Sequence, residues 1–320
     1  MEYGKVTGLN KPVSRLVLGT DYMTNKDLER NLAVLDGVYD LGCNTFDTAH
    51  GYGGGDGERI LGMWMKDRGI REQTVILTKG AHHNRDRKRV TPHDITSDLF
   101  DSLARLQTDY IDIYLLHRDD PSVPVGPIVE VLNMHAREGR IKVFGGSNWH
   151  HLRIQEANDY AAERGLQPFS ASSPHYSLAE QVEDPWGEGC VAISGPHEEE
   201  ARRWYQKTGM PLFPYSSLGR GFFSGRVLSE KAEAAGDVLD HAAMKGYCHE
   251  QNIKRLARVE ALAKDKGAKV PWIALAFLLN QPLNVFPLIG ARNVMEMGEN
   301  IEASKIKLTP EELDWLDLKR

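Results

Sequence analysis

Cysteine is scarce in this sequence. Cys43, Cys190 and Cys248 are the only three in 320 residues, and no Cys-x-x-Cys pair occurs. That excludes a disulfide scaffold and a structural zinc site, and it fits a reducing compartment. Basic runs are missing too. The densest cluster, residues 85–89, is interrupted by Asp86, and the formal net charge is −6. Nucleic acid and anionic membrane are therefore not expected partners. No apolar stretch reaches membrane-spanning length, and Met1-Glu2-Tyr3-Gly4-Lys5 has no apolar leader core, so a cytoplasmic location is expected. No Gly-x-Gly-x-x-Gly joins a strand to a helix, and the glycine-rich segment 51–57 is not followed by Gly-Lys-[Ser/Thr]. Rossmann and P-loop nucleotide sites are thereby set aside. There is no His-Glu-x-x-His, and the pairs His82-His83 and His150-His151 are chain neighbours that do not share a face, so no metal is expected.

What the chain does have is alternation. Hydrophobic residues make up 41% and charged residues 26%, as in ordinary globular proteins. Short runs rich in Val, Ile and Leu alternate with amphipathic segments, one pair in roughly thirty residues, the size of a βα unit. Strand segments are expected at 16–18, 44–47, 75–78, 111–116, 142–145, 169–172, 212–215 and 285–289. Helical pattern falls at 26–39, 57–66, 92–106, 127–138, 151–163, 198–207 and 252–266. Thr91-Pro92 and Thr309-Pro310-Glu311-Glu312 are helix starts, each a capping residue followed by proline. Regular alternation with apolar strands means a parallel sheet covered by helices, and eight repeats favour closure into a single-domain (β/α)8 barrel over residues 1–320. A short N-terminal hairpin is expected to precede it. Two segments depart from the repeat: 187–195, an extra strand or loop, and 219–251, a long excursion of the kind that carries function.

Barrel chemistry sits where strands end. At that end the sequence places Asp47, Lys79, His117, Ser147-Asn148, Ser173 and Tyr215-Ser216, each after an apolar run. Any strand turns polar as it meets a loop, but Asp, Lys and His in this slot must be desolvated and need partners. Asp47 and Lys79 lie on neighbouring strands and can pair. A lysine beside Tyr52 is expected to lower that phenol from its reference near ~10. His117 could donate to a carbonyl oxygen. Such a site protonates an oxygen while something else attacks the carbon, and with no hydride source of its own it implies a cofactor.

These residues match a known pattern. Asp47-Thr48-Ala49-His50-Gly51-Tyr52-Gly53 with Glu58, then Leu77-Thr78-Lys79, the run 110–118 ending in His117-Arg118, and Gly145-Gly146-Ser147-Asn148 resemble the aldo-keto reductase signatures. Pro214-Tyr215-Ser216-Ser217-Leu218 with Gly221 and Gly225, and the run 287–292 leading to Glu299-Asn300, complete the series in order. The resemblance implies a catalytic tetrad of Asp47, Tyr52, Lys79 and His117 and an NADPH lying across the barrel mouth, with NADH the weaker alternative. By the same carry-over Ser147 and Asn148 hold the carboxamide, Tyr215 stacks on the nicotinamide, and Gly19, Thr20, Asp47, Ser173 and Ser216 are further cofactor-binding positions. Leu218, Gly219, Arg220, Gly221 and Arg226 meet the pyrophosphate. Gly290, Ala291, Arg292, Glu296, Glu299 and Asn300 surround the adenosine end. Ser173 stands where the family often has glutamine, and Glu296, a carboxylate near a 2′-phosphate, opposes NADP. The chain ends at Arg320, so the long C-terminal substrate loop of some relatives is not expected.

The implied partner is a small-molecule carbonyl, and a homo-oligomer is compatible with the sequence. His50, His82, Arg118, Asp119 and Trp149 adjoin the tetrad and are expected to rim the substrate pocket, with Trp149 offering a face to a sugar ring. A polyhydroxylated carbonyl would satisfy such a lining. Two other readings stay open: a metal-dependent sugar isomerase or epimerase on the same barrel, and a non-catalytic nicotinamide-binding regulatory subunit. Strands five to eight offer Ser, Asn, Tyr and Gly where a metal would want carboxylates and histidines.

Overall fold

A computed structural model describes residues 1–320. The hairpin forms as expected, β1 (Tyr3–Gly4) antiparallel to β2 (Val13–Ser14). Seven parallel strands follow: β3 (Val17–Gly19), β4 (Thr45–Asp47), β5 (Val75–Gly80), β6 (Ile111–Leu116), β7 (Ile141–Ser147), β8 (Ala171–Ser173) and β9 (Leu288–Ile289). Their spatial order is the chain order, with β9 returning to pair with β3. The eighth position is filled by a bridge and not by a ladder. Leu212 bridges Ser172 on one side and Val285 on the other, with Phe213 N–H donating to Ser172 O at 2.8 Å and Phe286 N–H to Leu212 O at 2.7 Å. Pro211, Pro214 and Pro287 flank these contacts, and a proline gives no N–H to a ladder, so pairing there cannot lengthen.

Closure shows in the core, which is split in two. Sixty-six buried residues pack between strands and helices. A separate cluster of twelve, including Val17, Val75, Leu77, Ile113, Leu115 and Phe213, fills the barrel interior. Val6 and Val13 of the hairpin region join that inner cluster and plug its lower end. β5 and β6 are buried at every position because both faces are covered.

The helices are α1 (Leu28–Asp40), α2 (Asp56–Arg68), α3 (Pro92–Leu106), α4 (Val125–Arg137), α5 (His151–Glu163), α6 (Glu199–Thr208), α7 (His241–Tyr247), α8 (Glu250–Asp265), α9 (Val270–Leu279), α10 (Val294–Ala303) and α11 (Pro310–Leu316). Thr91 caps α3 by accepting from Asp94 N–H, and Thr309 with Glu312 forms a capping box on α11. Segment 187–195 is irregular, pinned beside the extension of β8 by His175 N–H to Val191 O at 2.8 Å and Ile193 N–H to His175 O at 2.9 Å. The excursion 219–251 winds through a 3₁₀ stretch at Ser229–Asp237 and then α7. No helix is long and apolar enough to cross a membrane.

Candidate active site

Side chains alternate across a strand, so every second residue points into the barrel. Val75 and Leu77 point inward, and two steps on comes Lys79. Ile113 and Leu115 lead to His117, Val143 to Ser147, Ala171 to Ser173, and Phe213 to Tyr215. The top layer of the interior is therefore polar where the layers below are apolar, and it opens at the C-terminal mouth.

Lys79 is 2% exposed. Its ammonium donates to the Asp47 carboxylate, to Thr48 O at 3.0 Å and to Tyr52 Oη at 3.3 Å, which uses all three protons. Tyr52 reaches this point through the sharp turn between β4 and α2. Gly53, Gly54 and Gly55 take φ of 57°, 65° and 94°, the left-handed region that glycine enters without strain. A Cβ on Gly55 would also lie 2.8 Å from the Arg105 guanidinium. Glu58, fully buried, locks the turn by accepting from Thr78 Oγ1 at 2.7 Å and from Arg105 at 3.2 Å. The His117 ring stands 5.7 Å from that of Tyr52, edge to face, and its Nδ1 is buried without a partner.

Burial governs the protonation states. It pushes Tyr52 up to about 12, outweighing the pull of Lys79, so the expectation of a lowered phenol is corrected: Tyr52 is a protonated acid. Burial likewise raises Asp47 to about 6 against the attraction of Lys79, which leaves it ionised at neutral pH. His117 is held well below its ordinary value by burial and by the Lys79 charge, so its imidazole is neutral and carries one N–H. The mouth thus offers a phenol and an imidazole as neutral donors beside a buried ion pair. That is the equipment to polarise and then protonate a carbonyl oxygen.

Asn148 Oδ1 accepts from Tyr215 Oη at 2.8 Å and Val191 N–H at 3.1 Å. Its Nδ2 reaches His117 O at 3.3 Å and Ser147 Oγ at 3.4 Å. Ser147 Oγ donates to Ser173 O at 3.0 Å and Ser173 Oγ to Phe213 O at 2.7 Å. Ser173 is therefore turned into the sheet and away from a carboxamide, whereas the long Asn148 bonds can exchange for a ligand. Thr20 is turned inward too, its hydroxyl donating to Asp47 O at 3.0 Å, and Gly19 lies against Ile289 O.

Beyond Tyr215, the residues Ser216, Gly219, Arg220 and Gly221 all have φ between 51° and 92°. The N–H groups of Leu218, Arg220 and Gly221 find no acceptor in the protein, so this turn is a concave row of free donors that fits a pyrophosphate. Arg226 lies against Gly221, while Arg220 is held by Asp240 at 2.9 Å. At the α10 end, Gly290 has open space at its Cβ position and the exposed Arg292 guanidinium makes no ion pair. Glu296 folds onto the helix start, accepting from Arg292 N–H and Asn293 Nδ2, both at 2.8 Å. Asn300 is half-buried on the same helix, and Glu299 is taken up by Lys269 at 2.7 Å. These groups fit an extended dinucleotide. Four of the six non-glycine residues with positive φ, Ala81, Asn148, Ser216 and Arg220, follow β5, β7 and the Leu212 bridge at this mouth.

The expected substrate rim is only partly present. Trp149 is fully buried against Phe169, with its indole N–H donating to Arg118 O at 3.1 Å, so it offers no face to a sugar. The His50 side chain turns to Asp101 at 3.1 Å and Asp119 to Arg153 at 3.3 Å. His82 does stand at the mouth, 4.7 Å from the His117 ring, and Arg118, which follows His117 in the chain, donates to Cys190 Sγ at 3.3 Å. Sequence reasoning missed Trp186, 41% exposed and 5.5 Å from the Tyr215 ring, and Cys190, both on or beside the irregular segment 187–195. The sequence marked that segment as an extra strand or loop but not what it faces. No group of three or more His, Cys, Asp or Glu side chains is placed to hold a metal.

The sequence model of the aldo/keto reductase family matches residues 15–319, and the chain belongs to that family. It is an oxidoreductase on a (β/α)8 barrel. A protein described as a probable aryl-alcohol dehydrogenase, AAD4 of Saccharomyces cerevisiae, is 28% identical over 92% of this chain and 89% of its own length. Norsolorinic acid reductase of Aspergillus flavus is 29% identical over 95% of this chain and 77% of its own. Among solved structures, the thermostable aldo-keto reductase Tm1743 in complex with the inhibitor epalrestat superposes with a TM-score of 0.74, at 26% identity and 99% coverage of both chains.

Proposed function

We propose that the protein reduces a small aldehyde or ketone to the alcohol in the cytoplasm, with NADPH as cofactor and Tyr52 as the proton donor. The bound cofactor would supply the hydride. The observation that carries this reading is the convergence of Lys79, Asp47, the Tyr52 phenol and neutral His117 on one barrel mouth. His117 would donate to the carbonyl oxygen and Tyr52 would give up its proton as the oxygen gains charge. Lys79 would then stabilise the phenolate left behind. The free N–H groups at 218–221 and Arg226 would take the pyrophosphate, and Arg292 the 2′-phosphate.

Two substrate readings are separable. A polyhydroxylated, sugar-derived carbonyl now rests on His82 and Arg118. An aryl carbonyl, the chemistry in the names of several relatives, is favoured by Trp186, whose exposed ring lies beside Tyr215. Oxidation of NADPH followed by absorbance, with keto- and aldo-sugars set against benzaldehydes, decides between them on kcat/KM. Tight NADPH binding with no turnover of any carbonyl would instead support the regulatory-subunit alternative.

Cofactor choice has its own test. A charge-assisted contact from Arg292 to a 2′-phosphate is worth about 1.5–3 kcal/mol, roughly a tenfold to hundredfold preference for NADPH over NADH. Glu296 opposes it by repulsion. Arg292→Ala is expected to collapse the ratio of the two dissociation constants and Glu296→Gln to widen it. An unchanged ratio in Arg292→Ala removes Arg292 from the account.

A further inference from the structure

Two arginines are buried in this protein, and only one has a counterion. Arg255, 2% exposed, lies 3.6 Å from Glu180 and 3.5 Å from Asp317. Arg118, 6% exposed, has no carboxylate oxygen within ion-pair distance, because Asp119 is taken by Arg153 and Asp120 by Lys88. Its one side-chain hydrogen bond runs from Nη1 to Cys190 Sγ at 3.3 Å. A thiol sulfur is a weak acceptor, and a guanidinium has five donors, so most of this group's bonding capacity is unspent. Little of the residue is exposed and no carboxylate pairs its charge, so its remaining donors are open to an anionic ligand.

Its position says which ligand. Arg118 directly follows His117, and the indole of Trp149 pins its backbone carbonyl. Its Nη1 donates to Cys190 Sγ at 3.3 Å, and the segment carrying Cys190 is tied to Asn148, whose Oδ1 also accepts from Tyr215 Oη at 2.8 Å, so the guanidinium is linked to the nicotinamide side of the mouth. Cys190 is held there by its neighbour Val191, whose N–H donates to Asn148 Oδ1. The guanidinium therefore lies at the barrel mouth on the Cys190 side, with His117 one residue before it in the chain.

We propose that Arg118 is a specificity residue for a carboxylate on the substrate, so that the preferred carbonyl compounds are oxo-acids or formyl-acids, bound by displacement of the Cys190 thiol. This rests on the reductase reading for the reaction itself and adds the charge of the substrate. A bidentate guanidinium–carboxylate contact is planar and directional, which fixes the carbonyl with respect to His117 and Tyr52.

The test compares 4-formylbenzoate with its neutral methyl ester in the intact enzyme. The expected kcat/KM ratio favours the acid by about tenfold to hundredfold, mainly through KM, as one charge-assisted contact allows. That ratio collapses in Arg118→Leu and is partly kept in Arg118→Lys, which retains charge but not the fork. Equal treatment of acid and ester by the wild type, or a ratio that survives in Arg118→Leu, overturns the proposal while leaving the reductase reading intact. If Arg118→Leu does not fold, inhibition of the wild type decides: benzoate competes with the ester and neutral benzamide does not, and equal competition by both overturns it. If no carbonyl is reduced at all, the reductase reading fails alone. Calorimetric binding of benzoate in the presence of NADP then decides. Binding by the wild type that Arg118→Lys weakens supports an anion site, and no binding, or equal binding by both, overturns it.

Discussion

Tyr52→Phe is expected to lower kcat for carbonyl reduction by about 10²–10⁴-fold while leaving the dissociation constant for NADPH almost unchanged. The substitution removes one oxygen and keeps the ring, so the turn built on Gly53, Gly54 and Gly55 is undisturbed. The hydroxyl lost is the one held 3.3 Å from Lys79 Nζ. His117, neutral and adjacent, could still polarise a carbonyl, which sets the floor of residual activity. Near-normal turnover in the Phe variant would displace Tyr52 from the role of acid. The pH profile offers a second readout. With the phenol raised to about 12, Tyr52 stays protonated through ordinary alkaline conditions, so kcat/KM for reduction should show no loss between pH 7 and 10 from this group. Oxidation of the alcohol needs the phenolate and should climb by about tenfold per pH unit over the same interval. A fall in reduction centred well below 10, absent from the Phe variant, would show that the site lowers the phenol after all.

The sequence carried the barrel and the inner ring of the site more clearly than the rim. Strand ends were legible because each short apolar run stops at a polar residue, as at Lys79 after Val75–Leu77 and Tyr215 after Leu212 and Phe213, although runs buried on both faces carry no alternation to say which side points inward. α3 and α5 fell at their expected bounds because each has an amphipathic face and a capping residue just ahead of it. α9 did not, since Val270–Leu279 is apolar on nearly every side and a helix without a polar face gives no period to read. The rim failed for a different reason. Nearness in sequence to a tetrad residue says little about direction: strand parity would aim Trp149 inward with Ser147, but the positive φ of 57° at Asn148 breaks the alternation and Trp149 packs in the outer core against Phe169. His50 and Asp119 were lost to stronger local partners, Asp101 and Arg153, which lie far off along the chain. The balance between burial and charge at Tyr52 was likewise invisible, because a sequence shows the lysine but not the depth at which it meets the phenol.

Lys79→Met is expected to inactivate the enzyme and also to destabilise it, by about 3–5 kcal/mol at neutral pH, because it leaves Asp47 as an unpaired charge in the core. Asp47 is 3% exposed and Lys79 is the cation hydrogen-bonded to it, so no other group is positioned to replace the ammonium. The loss depends on pH with a definite sign. Burial already raises Asp47 from 3.8 to about 6 in the intact pair, and removing the lysine removes the influence that holds it down. In the variant the folded state therefore binds a proton more tightly than the unfolded chain does. Stability then falls as pH rises from about 4 through the folded value of Asp47. The deficit against wild type should be smaller at pH 5 than at pH 8, measured by denaturant unfolding at both. Asp47→Asn combined with Lys79→Met removes both charges. It is expected to recover most of the stability and to flatten its pH dependence, with no return of activity, since the phenolate formed at Tyr52 still lacks its cation. A deficit in Lys79→Met that is the same at pH 5 and 8, and that the second substitution does not relieve, would mean that lost packing of the lysine stem, and not the stranded carboxylate, is what the structure feels.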